Sequence, residues 1–218
     1  MSKITNGVSL QHRSGGAPKQ IVLLLHGFGS NGNDLLSFAP TWQDAMPNSL
    51  FLAPHAPTKC SMMGAGYQWF GLSGMDPAAL AKGAASAAPA IDTFIDRKLA
   101  QYDLTEADLA IVGFSQGTMM ALQVGLRRPR PVAAIVGYSG ALTGIANLPA
   151  HDGAKAPVLL VHGSADPVVP IAALHAAKDG LERSGFDVST HISQGVGHTI
   201  DAKGLQLGKN FVGCFLGL

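Results

Sequence analysis

The sequence predicts an α/β fold in which a mostly parallel sheet is flanked by helices. Short and almost wholly apolar runs recur along the chain, as expected for strands that are buried on both faces of a parallel sheet. Segments with helical periodicity separate these runs, so strands and helices alternate. The chain has 218 residues and no linker or repeat, which fits a single domain over residues 1–218.

The first quarter of the chain begins this alternation. Strands are predicted at residues 9–12, 21–25 and 50–53, the first of them at an edge of the sheet. A helix is predicted over residues 35–46, because Asn33-Asp34 offers a cap and apolar residues follow. Pro40 kinks or shortens this helix, since its ring removes a backbone donor.

A long loop and a long helix follow. Residues 54–75 are rich in Gly, Pro and Met, and loops of this length are commonly functional. An alanine-rich helix begins at Asp76-Pro77 and has an apolar stripe that reaches Leu99. Pro89 lies inside this stretch, so we expect the helix to break there and resume.

The second half repeats the pattern. It opens with a strand, a turn and a helix at residues 109–120. Further strands are predicted at residues 132–136, 158–161 and 187–192, the last one alternating like a less buried strand. Helices are predicted at residues 170–184 and 204–216, and residues 141–156 as irregular.

Composition excludes several classes of function. Hydrophobic residues make up 47% of the chain and charged residues 13%, which describes a compact protein and not a disordered one. The net charge of +1 gives no electrostatic footprint for nucleic acid or anionic lipid. No apolar run approaches the ~18 residues that span a bilayer. Because residues 1–7 lack an apolar signal core, we expect a cytoplasmic protein.

The turn at Gly113-Phe114-Ser115-Gln116-Gly117 has the spacing of a nucleophile elbow. A sharp turn between strand and helix pushes one side chain out above the sheet edge, in strained backbone geometry. Neighbouring chain passes so close that a Cβ two residues away would collide, hence glycine on both sides. In a chain with 27 glycines the pattern also arises by chance, so other residues must decide.

Two further polar residues follow strand ends, where chemistry in such sheets is found. Asp166 lies after the strand ending at Val161, and His198 after the strand ending at Ile192. With Ser115 they follow the chain order Ser…Asp…His that a hydrolase triad of this fold requires. Singly, Asp166 is also a candidate cap for the helix at Pro170, and His198 a candidate loop histidine. The combination predicts nucleophilic catalysis by Ser115.

An acyl-transfer site also needs backbone donors for an oxyanion. The sequence predicts the amides of Gln116, which follows the nucleophile, and Phe28, in the glycine-rich loop after an early strand. That loop, residues 27–32, also matches the dinucleotide fingerprint Gly-x-Gly-x-x-Gly. The match is rejected because the next strand ends at Pro54-His55 without a carboxylate. The histidine spacing does not fit a zinc site either, so we expect neither metal nor cofactor.

Several motifs together resemble the phospholipase/carboxylesterase family, which includes bacterial carboxylesterases and acyl-protein thioesterases. They are His26-Gly27-Phe28-Gly29, Pro54-His55-Ala56-Pro57, Gln68-Trp69-Phe70, the elbow, residues 162–170 and Gly197-His198. The resemblance implies an α/β-hydrolase fold with little or no cap domain. It also implies Ser115, Asp166 and His198 as the triad, the Phe28 and Gln116 amides as the oxyanion hole, and Trp69 near the acyl pocket.

This chain departs from the family pattern at two places. Many relatives carry a second glycine where this chain has Thr118, and we expect only a packing effect there. The stretch around residues 60–64 fits no family pattern, so it bears most on the choice of substrate. Met62, Met63 and Met75 either line an apolar groove or pack beneath the loop.

The expected function is hydrolysis of a small-molecule carboxylic ester, or a thioester, with an apolar acyl group. The alternative within enzymes is a lysophospholipase or acyl-protein thioesterase that acts on longer chains at a membrane surface. From another class, the chain would be a catalytically silent hydrolase-fold module that binds a ligand. Members of the family are often dimers, so the resemblance implies a homodimer as the alternative to a monomer.

Overall fold

A computed structural model describes residues 4, 7–60, 66–72, 74, 76–144, 148 and 154–218. The strands in these ranges are β1 (Gly7–Leu10), β2 (Gln20–Leu25), β3 (Ser49–Pro54), β4 (Thr58–Lys59), β5 (Tyr67–Gln68), β6 (Leu109–Phe114), β7 (Ala134–Tyr138), β8 (Val158–Gly163) and β9 (Val188–Ser193). The helices are α1 (Gly32–Leu36), α2 (Ala39–Gln43), α3 (Pro77–Tyr102), α4 (Gln116–Gly125), α5 (Ala172–Arg183) and α6 (Ala202–Phe215).

Seven strands form one sheet in the order β1-β3-β2-β6-β7-β8-β9. Only the edge strand β1 runs antiparallel to its neighbour, so the predicted mostly parallel sheet is confirmed. The register pairs Leu25 with Gly113 and Phe114 with Tyr138, which brings the carboxyl ends of the central strands to one edge. The candidate site residues follow these ends.

Helices cover both faces of the sheet. On one face, here called the α3 face, α3, α4 and α5 pack through a cluster that includes Ile91, Ile111, Leu122 and Leu181. On the other, here called the α6 face, α1, α2 and α6 pack through a cluster around Trp42. In the described helices, none combines the length and the apolar character that crossing a membrane requires.

Three sequence predictions about helices need correction. The predicted helix over residues 35–46 is two short helices, α1 and α2, and the cap of the first is Asn31, whose side chain accepts from the Asn33 amide. Pro40 belongs to the first turn of α2, where no intrahelical donor is lost. Pro89 does not break α3, which is continuous over 26 residues. Burial of Ala84, Ile91 and Ile95 on the sheet outweighs the one lost hydrogen bond.

The strands lie close to their predicted places, with shifted ends. β1 covers Gly7–Leu10 where residues 9–12 are predicted, and β7 covers Ala134–Tyr138 where residues 132–136 are predicted. The long loop contains the small β4–β5 hairpin, which the sequence pattern does not reveal. Met62, Met63 and Met75 lie outside the described residues.

Candidate active site

Ser115 occupies a strained turn between β6 and α4. Its φ of 54° and ψ of −116° lie outside the regions that non-glycine residues normally adopt. A Cβ on Gly113 would collide with the Gly117 carbonyl, and one on Gly117 would collide with the Leu25 carbonyl. Both glycines are therefore required by close backbone approach, which confirms the predicted strained turn between strand and helix.

Asp166 and His198 are joined directly. His198 Nδ1 lies 2.8 Å from Asp166 Oδ2, across the loops that follow β8 and β9. Because a carboxylate only accepts, Nδ1 carries the proton and Nε2 is left as an acceptor. The Asp166 side chain is fully buried, whereas that of His198 is 18% exposed. The His198 imidazole thus contacts the Asp166 carboxylate in the protein interior and is partly exposed at the surface.

The Asp166 carboxylate is also held by the backbone. Its Oδ1 accepts from the amides of Val168 and Val169, at 2.8 and 2.9 Å. Burial raises the pKa of the Asp166 carboxyl, but hydrogen bonds from His198, Val169 and Val168 outweigh burial and hold that pKa below its usual value. Asp166 therefore stays charged at neutral pH and can stabilise an imidazolium.

Phe114 connects the Ser115 turn to the imidazole of His198. This residue directly precedes Ser115, and its ring centroid lies 4.9 Å from that of His198. Ser115, Asp166 and His198 follow β6, β8 and β9 respectively, all at the same edge of the sheet. This arrangement can activate a serine hydroxyl by removing its proton.

The two predicted oxyanion donors follow neighbouring parallel strands at this edge. Phe28 is in the loop after β2, and Gln116 opens α4. Within the described residues, neither amide donates a hydrogen bond to the protein. An unpartnered amide at the start of α4 is suited to an anion, because the helix dipole adds positive potential there.

The side chain of Gln116 has a task that sequence reasoning missed. It is buried, and its Oε1 accepts from the Trp69 amide at 3.0 Å while its Nε2 donates to the Phe70 carbonyl at 2.7 Å. The Trp69 indole in turn donates to the His26 carbonyl at 2.9 Å. These contacts fix the Trp69-Phe70 segment against the elbow, and nothing in the sequence pattern signals them.

His26 shapes the donor loop and is not a second base. It is fully buried, and its Nδ1 donates to the Gly27 carbonyl while its Nε2 accepts from the Ala56 amide. Burial lowers the pKa of His26 to about 4, although the hydrogen bond to Gly27 opposes this shift. The imidazole is therefore neutral near pH 7, and both of its nitrogens are occupied.

His162 is a further residue that the sequence analysis did not single out. Its buried imidazole lies between the Val169 carbonyl, 2.8 Å from Nε2, and Asp166 Oδ2, 3.5 Å from the same nitrogen. It thus supports the loop that carries Asp166. The only sequence signal is its spacing, four residues before Asp166 at the end of a buried strand.

Comparison with known proteins agrees with this geometry. The phospholipase/carboxylesterase family model matches residues 11–216. The chain belongs to this family. It is 29% identical to esterase YpfH of Escherichia coli over 192 residues, 86% of this chain and 79% of that protein. It is 30% identical to acyl-protein thioesterase 1 of Schizosaccharomyces pombe over 158 residues, 68% of this chain and 69% of that protein.

Solved structures place the family member among esterases as well. The crystal structure of esterase PE8 matches with a TM-score of 0.89 and 43% identity, over 94% of this chain and 96% of that chain. Zea mays acyl-protein thioesterase 2 has the same fold, with a TM-score of 0.78 at 24% identity, over 97% and 99% of the two chains. The protein is an α/β-hydrolase and a carboxylic ester hydrolase.

A cavity of about 590 Å³ opens beside the elbow on the α3 face of this esterase. Trp69 and Phe70 line it from the loop, and Ala87 and Ala90 line it from α3. Both aromatic residues are also largely buried, so each belongs at once to the core and to the cavity wall. The lining is mixed, because Gln68, Lys82 and Ser86 add polar groups to it.

Thr118, the departure from the family pattern, does more than fill space. Its buried hydroxyl lies 2.8 Å from the Gly113 carbonyl and 2.8 Å from the Tyr138 carbonyl. It therefore links the ends of β6 and β7 under the elbow.

Within the described ranges, no three His, Cys, Asp or Glu side chains are grouped to hold a metal ion.

Proposed function

We propose that this family member is a serine carboxylesterase that hydrolyses esters, and thioesters, with apolar acyl groups through Ser115, His198 and Asp166. The observation that carries the proposal is the 2.8 Å hydrogen bond between His198 Nδ1 and the buried Asp166. It leaves His198 Nε2 as an acceptor next to the strained Ser115 turn. A neutral imidazole so oriented is the base that a serine hydroxyl needs.

In the first step, Ser115 Oγ attacks the substrate carbonyl as His198 Nε2 takes its proton. Asp166 holds the imidazole in this tautomer and stabilises its charged form. The carbonyl oxygen becomes an oxyanion, which accepts from the Phe28 and Gln116 amides. The imidazolium then gives its proton to the leaving oxygen, the carbon–oxygen bond breaks, and the alcohol departs. The acyl group stays on Ser115.

In the second step, water attacks the acyl-enzyme with His198 again as the base. The same two amides hold the second oxyanion, and its collapse breaks the bond to Ser115 Oγ. The proton returns from His198 to the serine, and the carboxylic acid leaves. Protons and bonds balance over the two steps without a metal or cofactor.

The acyl group is assigned to the cavity lined by Trp69 and Phe70. Gln116 supports this assignment, because the residue that donates an oxyanion amide also holds the Trp69-Phe70 segment through its side chain. An acyl chain that extends from a carbonyl in the oxyanion hole therefore starts next to this wall. Trp69, Phe70, Ala87 and Ala90 supply apolar surface for an aliphatic chain.

Replacing the nucleophile tests the proposal. In Ser115→Ala, hydrolysis of a p-nitrophenyl ester should fall at least about 10³-fold, since the covalent step is lost. A fluorophosphonate probe should label the unchanged protein at Ser115 and leave the variant unlabelled. The matched control is Ser139→Ala, because Ser139 also has a positive φ, of 47°, and follows the neighbouring strand β7. Retained turnover in Ser115→Ala, or labelling elsewhere, would overturn the proposal.

Similarity to acyl-protein thioesterase 1 of several fungi favours a second candidate, a thioesterase or lysophospholipase that acts on long acyl chains. A panel of esters and thioesters from acetyl to palmitoyl separates the two. A maximum at short chains excludes the second candidate, and a maximum at long chains with thioesters preferred establishes it.

The homodimer and the cytoplasmic location stay predictions from the sequence, and sedimentation tests the first.

A further inference from the structure

A second cavity lies on the opposite side of the elbow, on the α6 face of the sheet. It has a volume of about 330 Å³. Its apolar wall comes from three separate segments of the chain and consists of Leu35, Phe38, Phe114, Ile200 and Leu205. The acyl assignment made above leaves this cavity without an occupant.

Two residues of the cavity lining lie beside His198. Thr199, the residue directly after His198, is part of its lining, and so is Phe114, whose ring is 4.9 Å from the imidazole. Ser30, from the loop that carries Phe28, also lines it. The cavity beside Trp69 is built differently, because its described lining comes from residues 57–58, 68–71 and 79–90, away from His198 in the chain.

His198 determines which half of an ester lies near this wall. In acylation the imidazolium must reach the leaving oxygen, so the alcohol half extends from a point next to His198. The acyl half extends from the other side of the same carbonyl carbon. We propose that the cavity lined by Phe114, Ile200 and Leu205 is the subsite for the alcohol half of the substrate, and that it takes an apolar alcohol. This inference rests on the proposed function.

Asp34 narrows the class of alcohol. It is the only charged side chain in the described lining, and its Oδ2 accepts from Ser30 Oγ at 2.6 Å and from Asn31 Nδ2 at 3.2 Å. These bonds hold the carboxylate at the cavity. A negative charge there repels an anionic leaving group, such as a phosphate ester or a sulfonate. The subsite therefore takes uncharged or cationic alcohols.

A series of acetate esters with lengthening alcohols measures the subsite. From ethyl to hexyl acetate, kcat/KM should rise by up to roughly fourfold per methylene, the value of a fully buried group. Leu205→Phe fills the cavity and should lower the hexyl-to-ethyl ratio of kcat/KM about tenfold. Leu207→Phe is the matched control, since Leu207 is half-buried on α6 against the same cluster but does not line the cavity. These ratios do not depend on the fraction of folded enzyme.

The acyl series supplies the counter-test. Ethyl acetate, ethyl butyrate and ethyl octanoate should keep their relative kcat/KM values in Leu205→Phe. If the acyl ratio changes and the alcohol ratio does not, the cavity holds the acyl chain and the inference is wrong. If neither ratio changes, the cavity binds no part of the substrate. Failure of the fluorophosphonate probe to label Ser115 is a separate result, which overturns the proposed function itself.

Asp34→Asn tests the charge. Phenyl acetate and 4-sulfophenyl acetate differ by one negative charge at the far end of the alcohol. The substitution should raise the ratio of kcat/KM for the sulfonated ester to that for phenyl acetate about three- to tenfold at 0.15 M salt, because asparagine removes the charge and keeps an acceptor for Ser30. An unchanged ratio between the two esters would remove Asp34 from the subsite.

Discussion

Asp166 and Glu106 are two buried carboxylates with opposite surroundings. The side chain of Asp166 is fully buried, and that of Glu106 is 6% exposed. Two backbone amides and one imidazole hold Asp166. Glu106 instead accepts from two guanidinium groups, Arg128 at 3.0 Å and Arg130 at 2.8 Å. One carboxylate contacts a group that can gain and lose a proton, and the other contacts only fixed charges.

The partner of Glu106 is itself part of a network. Arg128 also donates to Asp92 at 3.2 Å and to Asp96 at 2.6 Å, both on α3. Burial raises the pKa of the Glu106 carboxyl, but its own backbone amide, Arg130 and Arg128 outweigh burial and lower that pKa overall. The network links α3, the turn before β6 and the end of α4, on the far side from the site.

The difference shows that a buried carboxylate can either stabilise the packing of helices and strands or support a base that takes up a proton. Around Glu106 carboxylates pair with guanidinium groups, so the arrangement stabilises one packing of three elements. Around Asp166 the second charge appears only when the proposed base takes a proton. Four substitutions or conditions follow from this comparison, and their expected effects decrease in order.

Asp166→Asn should give the largest effect. The amide would leave His198 Nδ1 without an acceptor that fixes its tautomer, so kcat should fall about 10⁴-fold. The unfolding midpoint should change little, because asparagine still accepts from the Val168 and Val169 amides. Steady-state kinetics and urea unfolding of the same preparation measure both. A kcat within tenfold of the unchanged enzyme would remove Asp166 from the triad.

Arg128→Met should do the opposite of Asp166→Asn, because it should lower stability and leave kcat nearly unchanged. Removing one partner of a buried ion pair leaves carboxylates uncompensated, so the free energy of unfolding should drop by about 3–5 kcal/mol. In the folded protein kcat should stay within about twofold, because the network does not contact the site. Arg183→Met, at an exposed arginine, should cost less than about 1 kcal/mol. A large loss of kcat with unchanged stability would contradict this division.

Lowering the pH should reduce the stability of the fold through both carboxylates, Asp166 and Glu106. Since the folded-state pKa of each is lowered, the unfolded chain binds more protons, and stability is lost as pH falls from about 5 toward the folded pKa values. Burial raises the pKa of Asp92, which opposes part of this loss. Each group contributes at most about 1.4 kcal/mol per pH unit. Glu106→Gln should flatten the dependence, and a steeper one would show that its pKa is not lowered.

His162→Gln should give the smallest effect. It removes the imidazole that lies between the Val169 carbonyl and Asp166, and a lost hydrogen bond of about 1 kcal/mol corresponds to about a fivefold lower kcat. The acid limb of the pH–rate profile should move as well, since Asp166 orients His198. A purely structural role would shift the unfolding midpoint and leave the pH–rate profile in place.

Much of the candidate site could be predicted because chain order and backbone geometry carry it. The elbow glycines, the residues after β8 and β9, and the loop after β2 are visible as local patterns. Gln116 and His162 are different, because their contacts with Trp69 and Asp166 depend on how distant segments pack. The same applies to Arg128, whose partners lie 22 to 36 residues away. Pro89 misleads for a related reason, since burial decides whether a helix tolerates a proline.

The double contact of Gln116 bears on how this enzyme can be redesigned. Its side chain fixes the chain at Trp69 and Phe70, and the β4–β5 hairpin is closed by a Cys60-to-Gly66 backbone hydrogen bond of 3.0 Å. The two ends of the five-residue segment between Cys60 and Gly66 are thus joined by a backbone hydrogen bond, and the chain after it is held by Gln116. These five residues can therefore be exchanged for those of a relative without changing the residues at either end. The exchange offers a way to vary substrate choice while the elbow and the amides of Phe28 and Gln116 keep their places.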